Sequence, residues 1–247
     1  MAETRKPSQD FTLRIRRYDP DAGEAPYWDE HTINLEPHRS VLEGILQAKG
    51  QFDGSIGIRC SCKAAICGSC GVRVNGQAGL ACHTHLDAAV KSSRDGVIEI
   101  EPMGNMPIIK DLVVDMDGFF DKFKSVQPYL MQDADVPANG RERLQSPEDR
   151  ARYDDTTKCI LCAACTSSCP VFWTDGQYFG PAAIVNAHRF IFDSRDDNAA
   201  VRLDILNDKE GVWRCRTTFN CTEACPRGIQ VTQAISEVKQ AILRGTA

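Results

Sequence analysis

Eleven of the twelve cysteines in this 247-residue chain fall at spacings that hold metal. Cys62, Cys67, Cys70 and the more distant Cys82 read C-x4-C-x2-C…C, the plant-type spacing of a 2Fe–2S cluster. The loop between them, "CKAAICGSCG", is rich in small residues, so backbone N–H groups can approach and hydrogen-bond the cluster sulfurs, which helps to set the reduction potential. Cys159, Cys162, Cys165 and Cys169-Pro170 read C-x2-C-x2-C-x3-C-P. That is the bacterial ferredoxin run, in which the fourth cysteine serves the other cluster of a two-cluster protein. Structural zinc is the alternative for these sets, but it normally uses two short paired knuckles, which the first run lacks. Cys60 fits no ligand position and reads as a small, buried or partly exposed thiol.

The stretch "CRTTFNCTEACP", residues 215–226, repeats the ferredoxin run with Thr218 where the second cysteine should stand. If the two runs exchange their fourth ligands, Cys159, Cys162, Cys165 and Cys225 hold one 4Fe–4S cluster. Cys169, Cys215 and Cys221 are then left with a threonine at the fourth position, and a cube without that corner is a 3Fe–4S cluster. Removing a thiolate and an iron changes cluster type and net charge, and both set its potential. His83 and His85 flank Cys82 but displace no ligand, and they read as neighbours of the cluster or solvated side chains. His188 lies in a helical pattern and reads as a surface or packing residue.

These sets must be carried by two kinds of scaffold. Phe11, Leu13 and Ile15 alternate with polar residues, Ile33 and Leu35 continue the pattern, and "VIEIE" from Val97 to Glu101 closes it, the period of half-buried strands. Ser40 can cap a short helix with Val41, Leu42, Ile45 and Leu46 on one face, ended by Gly50. Strands, a helix, a cysteine loop and further strands give an α+β domain of the β-grasp type over residues 1–108. Beyond Pro102, Gly104 and Pro107 the character becomes helical. "QSPEDRARYDDTTKC" is a charged, proline-initiated segment, and Pro181 opens another helix. Val231, Ile235, Val238 and Ile242 form an apolar stripe stopped by Gly245. Residues 109–247 are therefore expected to be an all-helical domain holding the second and third cysteine sets.

A net charge of −5 gives no reason to expect nucleic acid as a partner. The N-terminal residues carry no apolar signal core. The longest uncharged stretch, Cys159 to Thr174, is too short to span a bilayer, so work at a membrane would need an anchor on another chain. Disulfides are disfavoured without a secretory signal. The chain has no dinucleotide fingerprint, P-loop or nucleophile motif. No residue reads as catalytic, and three clusters in one chain imply an electron relay whose bond-making chemistry happens on a partner.

The segments "SCKAAICGSCGVRVNGQAGLAC", "IIKDLVVDMDGFFDKFKSVQPYL", "CILCAACTSSCP", "GPAAIVNAHRFIFDSRDD" and "CRTTFNCTEACPRGI" resemble, in order and spacing, the iron–sulfur subunits of succinate dehydrogenase and fumarate reductase, respiratory complex II. The resemblance implies a β-grasp 2Fe–2S ferredoxin-like domain followed by a helical two-cluster ferredoxin-like domain. It implies a flavoprotein partner, carrying FAD and oxidising succinate to fumarate, and a membrane anchor or cytochrome b, with a haem b, that binds quinone. Electrons would pass from FAD through 2Fe–2S, 4Fe–4S and 3Fe–4S to quinone, with the chain peripheral on the cytoplasmic side of a bacterial plasma membrane. Operation as a fumarate reductase and a free-standing soluble electron carrier are the alternatives. The family's mitochondrial branch follows the Cys-Pro pair with two adjacent tryptophans, of which only Trp173 is present. That branch also has a histidine where Arg216 stands. Both positions border its quinone pocket, which makes Trp173 the implied quinone contact here. The loop "KAAIC" lacks the family's acidic residue and glycine before Ile66, a difference that bears on the 2Fe–2S potential without removing a ligand.

Overall fold

In the computed structural model, which describes residues 7–23, 25–132 and 142–245, Phe11, Leu13 and Ile15 are buried along strand β1 (Gln9–Arg17). Strand β2 (Tyr27–Leu35) pairs antiparallel with β1, setting Phe11 opposite Ile33. Helix α1 (Val41–Gln51) begins with a reciprocal cap, in which Ser40 Oγ accepts from Glu43 N–H and the Glu43 carboxylate accepts from Ser40 N–H. It runs past Gly50, where the sequence placed its end. Phe52 N–H still bonds Ala48 O, and Lys49 Nζ donates to the carbonyls of Gly54 and Ile56, folding the following loop back on the last turn. Gly44 lets α1 lie close on the sheet, since a Cβ there would sit 2.7 Å from Ile33 Cδ1 and 3.1 Å from Leu13 Cδ1.

Strands β3 (Gly71–Val74) and β4 (Gln77–Leu80) form a hairpin, followed by α2 (Leu86–Ser92) and β5 (Val97–Glu101). The sheet order is β2-β1-β5-β3-β4, with β5 parallel to β1 and antiparallel to β3. This mixed sheet, with α1 packed on one face, is the β-grasp arrangement expected from the alternation. Strands β6 (Ile108–Lys110) and β7 (Val113–Val114) make a second, small hairpin.

Helices α3 (Asp117–Ser125), α4 (Pro147–Ala151), α5 (Ala164–Ser167), α6 (Pro170–Thr174), α7 (Pro181–Ile191), α8 (Ala199–Leu206), α9 (Asn220–Glu223) and α10 (Val231–Arg244) follow. The chain forms two compact units, Met1–Met116 with Cys162–Ser167, and Asp117–Leu161 with Ser168–Ala247. The first unit runs past the boundary at 108 drawn from the sequence and takes in both strands of the β6–β7 hairpin. It also takes in the short cysteine segment. Met103, Val114 and Ala164 share a core there, and Asn105 Nδ2 donates to Thr166 O at 2.8 Å.

Among its described residues the second unit is helical throughout. Helix α7 is its centre, buried along nearly its whole length, with α3, α8 and α10 against it. Pro181 occupies its first turn, and Gly245, at φ 67°, ends α10 in the left-handed conformation. Arg202 and Asp196 form an ion pair with both side chains fully buried. Arg202 also donates to the carbonyls of Gln127 and Tyr129 at 3.0 and 2.6 Å, fixing the segment that leaves α3. His188 is a packing residue, 3% exposed, with Nε2 at 2.7 Å from Glu237 of α10.

Candidate metal centres

The β3–β4 hairpin fixes half of the first cysteine set. Cys70 precedes β3, Cys82 follows β4, and Ala81 N–H bonds Cys70 O at 3.0 Å, so closing the hairpin brings both to one end. The loop that carries Cys62 and Cys67 is anchored just upstream. Asp111, 2% exposed, accepts from Gly57 N–H at 2.7 Å and from Arg17 Nε at 3.0 Å, and Arg59 donates to Val114 O at 2.6 Å. Within the loop, Cys62 Sγ accepts from the N–H groups of Ala64, Ile66 and Cys67 at 3.3–3.4 Å, and Cys82 Sγ accepts from Ala65 N–H at 3.3 Å.

Three amide donors on one sulfur suit an anionic thiolate. Lys63 and Ala65 reach this arrangement at φ 54° and 57°, a conformation that costs a non-glycine residue roughly 1–2 kcal/mol and turns successive N–H groups into an anion-binding concavity. The Ser69 hydroxyl, 3.1 Å from Cys67 Sγ, together with the amides of Cys62 and Ser69, holds the Cys67 thiol down at about 6. Burial pushes the Cys70 thiol up to about 12. As cluster ligands both would have to be thiolates. Cys60 is half-buried.

The second and third sets share one backbone design. Cys159, Cys162, Cys165 and Cys169 recur as Cys215, Thr218, Cys221 and Cys225, each 56 residues on (215 − 159 = 56, and likewise for the rest). A 3-10 turn precedes each run, at Asp155–Lys158 and Val212–Arg214, and α5 and α9 occupy the same place in each. Leu161 and Ala163, on either side of Cys162, have φ 55° and 63°; Thr217 and Phe219, on either side of Thr218, have φ 58° and 64°. Thr218 therefore stands in the same backbone frame as Cys162. The run that lacks one ligand keeps left-handed backbone at two non-glycine positions, as the complete run does, a cost that fits a loop shaped for function.

The third set meets around a small pocket lined by Cys169, Cys215, Cys221, Thr218, Arg216 and Thr232 among others. Burial raises the thiols of Cys169 and Cys221 above their ordinary value, as it does that of Cys159. Of the second set, Cys159 and Cys225 lie in the second unit, and Cys162 and Cys165 lie in the segment that groups with the first. Trp173 is 61% exposed on α6, so its side chain is not a core residue.

Two contributors escaped sequence reasoning. Asn186, a buried amide in the apolar face of α7, donates to Ala182 O at 2.9 Å and to Cys159 Sγ at 3.5 Å. Thr232 of α10 places its hydroxyl 3.5 Å from Cys221 Sγ. A polar residue interrupting the run "PAAIV" was the available signal for Asn186. Nothing in the sequence pointed to Thr232. Thiols with amide donors and left-handed loop positions at the first set, and thiols around one pocket with left-handed loop positions at the third, fit iron–sulfur clusters there.

Residues 12–121 match the family model described as a 2Fe-2S iron-sulfur cluster binding domain, and residues 155–229 match that of a 4Fe-4S dicluster domain. The succinate dehydrogenase iron-sulfur subunit of Coxiella burnetii (strain RSA 493 / Nine Mile phase I) is 39% identical over 238 residues, covering 96% of this chain and 98% of its own. That of Paracoccus denitrificans is 38% identical over 229 residues, covering 92% and 86%. The mitochondrial succinate dehydrogenase [ubiquinone] iron-sulfur subunit 1 of Oryza sativa subsp. japonica is 40% identical over 232 residues, covering 93% and 81%. Among solved structures, a chain of the Mycobacterium smegmatis Sdh1 complex in the apo form superimposes with a TM-score of 0.84 at 25% identity, covering 96% of this chain and 97% of that one. The chain belongs to the family of succinate dehydrogenase iron–sulfur subunits.

Proposed function

We propose that this chain relays electrons in a succinate:quinone oxidoreductase through three clusters. In this reading Cys62, Cys67, Cys70 and Cys82 hold 2Fe–2S, and Cys159, Cys162, Cys165 and Cys225 hold 4Fe–4S. Cys169, Cys215 and Cys221 hold 3Fe–4S. Bound clusters supply one-electron carriers; the chain's residues ligate them, donate hydrogen bonds to their thiolates and exclude water from the buried sulfurs. The observation that carries the reading is the repeated backbone frame, which sets Thr218 where its counterpart is Cys162.

The partners are a flavoprotein that carries FAD and oxidises succinate, and a membrane anchor or cytochrome b subunit, with haem b, that delivers electrons to quinone. Support for the flavoprotein comes from the family and from the lack of any flavin fingerprint in this sequence. Among the described residues no helix is long and apolar enough to cross a membrane; the family supports a peripheral subunit, which this reading places on the cytoplasmic side of a bacterial plasma membrane. Trp173, exposed beside Cys169, is the proposed quinone-proximal side chain.

Purification of the complex from membranes tests this directly. Iron, acid-labile sulfide and EPR should report a 2Fe–2S signal on reduction and a 3Fe–4S signal on oxidation, and the isolated chain should not reduce dyes with succinate. A colourless chain that keeps stoichiometric zinc, or succinate oxidation by the chain alone, would overturn the proposal.

A further inference from the structure

Thr232 is 3% exposed in the first turn of α10, and its hydroxyl does not cap that helix. Instead Oγ1 lies 3.5 Å from Cys221 Sγ and 2.9 Å from Thr222 Oγ1, while Thr232 N–H donates to Thr222 Oγ1 at 2.9 Å. Each hydroxyl has one proton to give and two lone pairs. An iron-bound thiolate has no proton, so the contact between Cys221 and Thr232 is a hydrogen bond only when Thr232 donates it. Thr222 Oγ1 already accepts from the backbone, and its own proton is then free to go to Thr232 Oγ1. The thiolate thereby fixes a one-way chain, Thr222 to Thr232 to Cys221. The reverse orientation would aim a threonine lone pair at a buried anion.

We propose that Thr232, oriented by Thr222, is a potential-setting donor to the Cys221 thiolate, holding the cluster of this pocket at a higher reduction potential than its ligands alone would give. The inference rests on the assignment of a 3Fe–4S cluster to Cys169, Cys215 and Cys221. An added electron makes the cluster sulfurs more negative, and hydrogen bonds to charged acceptors are the stronger ones. The donor therefore favours the reduced form, and the effect is larger where burial removes competing water. Outer-shell donors of this kind are the protein's lever on a cluster whose ligands are fixed. The effect belongs at this site, because the last carrier before an acceptor must fill readily.

The test is an EPR-monitored redox titration of the oxidised 3Fe–4S signal in the intact complex. Thr232→Val keeps the shape and removes the donor. It should cost about a tenfold loss in preference for the reduced cluster, about 59 mV for one electron. Thr232→Ser should stay at the wild-type midpoint. Thr222→Val, which leaves Thr232 in place but unoriented, should fall between them. A full signal in Thr232→Val with an unchanged or higher midpoint overturns the inference and leaves the cluster assignment standing. If Thr232→Val fails to assemble, an unshifted midpoint in Thr222→Val overturns it instead. Absence of the oxidised signal from the wild-type complex overturns the cluster assignment and the inference together.

Discussion

Replacing Thr218 by cysteine should convert the third centre from three thiolates to four. The backbone is already set for it: Thr217 and Phe219 stand at φ 58° and 64°, against 55° and 63° for the residues on either side of Cys162. Position 218 is exposed and lines the pocket with Cys169, Cys215 and Cys221. The exchange alters side-chain volume little, and a surface substitution of this kind moves stability by no more than about 0.5 kcal/mol. The thermal midpoint should therefore stay put while the cluster changes type. A 4Fe–4S cube with an added thiolate has a lower potential than the 3Fe–4S form, since both charge and type move it down. Every drop of about 59 mV makes one-electron filling tenfold less favourable, about 1.4 kcal/mol. Quinone reduction should slow, while reduction of dyes that draw electrons nearer the flavin survives. Oxidised 3Fe–4S is paramagnetic and oxidised 4Fe–4S is silent, so EPR of the air-oxidised complex reads the exchange. Thr218→Ala should keep the wild-type signal. A full oxidised signal in Thr218→Cys would refute the reasoning, because the matched φ values would then not place a side chain on the cluster.

Cys60→Ser should leave the 2Fe–2S spectrum of the reduced protein intact, whereas serine at Cys62, Cys67, Cys70 or Cys82 should perturb or abolish it; loss in the Cys60 variant alone means the ligand set is misassigned. Arg202→Met removes the partner of the fully buried Asp196, which should cost about 3–5 kcal/mol and lower the thermal midpoint, with Asp196→Asn in the same chain restoring part of it. Burial lowers the His188 pKa against the pull of Glu237, so the unfolded chain takes up the proton first and stability is lost as pH falls through about 6.5. Denaturation midpoints between pH 7.5 and 5.5 should therefore fall less steeply in His188→Gln than in the wild type, and equal slopes would rule His188 out as the source.

The metal-binding loops were legible because ligand chemistry leaves covalent spacing in the chain. Thiolates that share one cluster from a short loop can stand only so many residues apart, so the sets at 62–82 and 159–169 announce themselves. Thr218 was readable for the same reason, as a gap in a counted series. Strands β1 and β5 were readable by the alternation of Phe11, Leu13 and Ile15 and of Ile98 and Ile100, because burial on one face imposes a period of two. What tunes the centres obeys no such count. Thr232 reaches Cys221 from eleven positions down the chain and across a turn, and Asn186 reaches Cys159 from a separate helix. Their side chains meet the sulfurs only after α7 and α10 have packed. The grouping of Cys162–Ser167 with the first unit was hidden in the same way. It depends on Gly71, where a Cβ would lie 2.7 Å from Met103 Cε and 3.1 Å from Cys162 O. A glycine directly after the last cysteine of the first loop looked like one more small residue, and only the fold shows that it lets the backbone beside Cys70 touch the backbone of Cys162. That close approach is a property of packing, set by one small residue whose neighbours in space lie 32 and 91 positions down the chain.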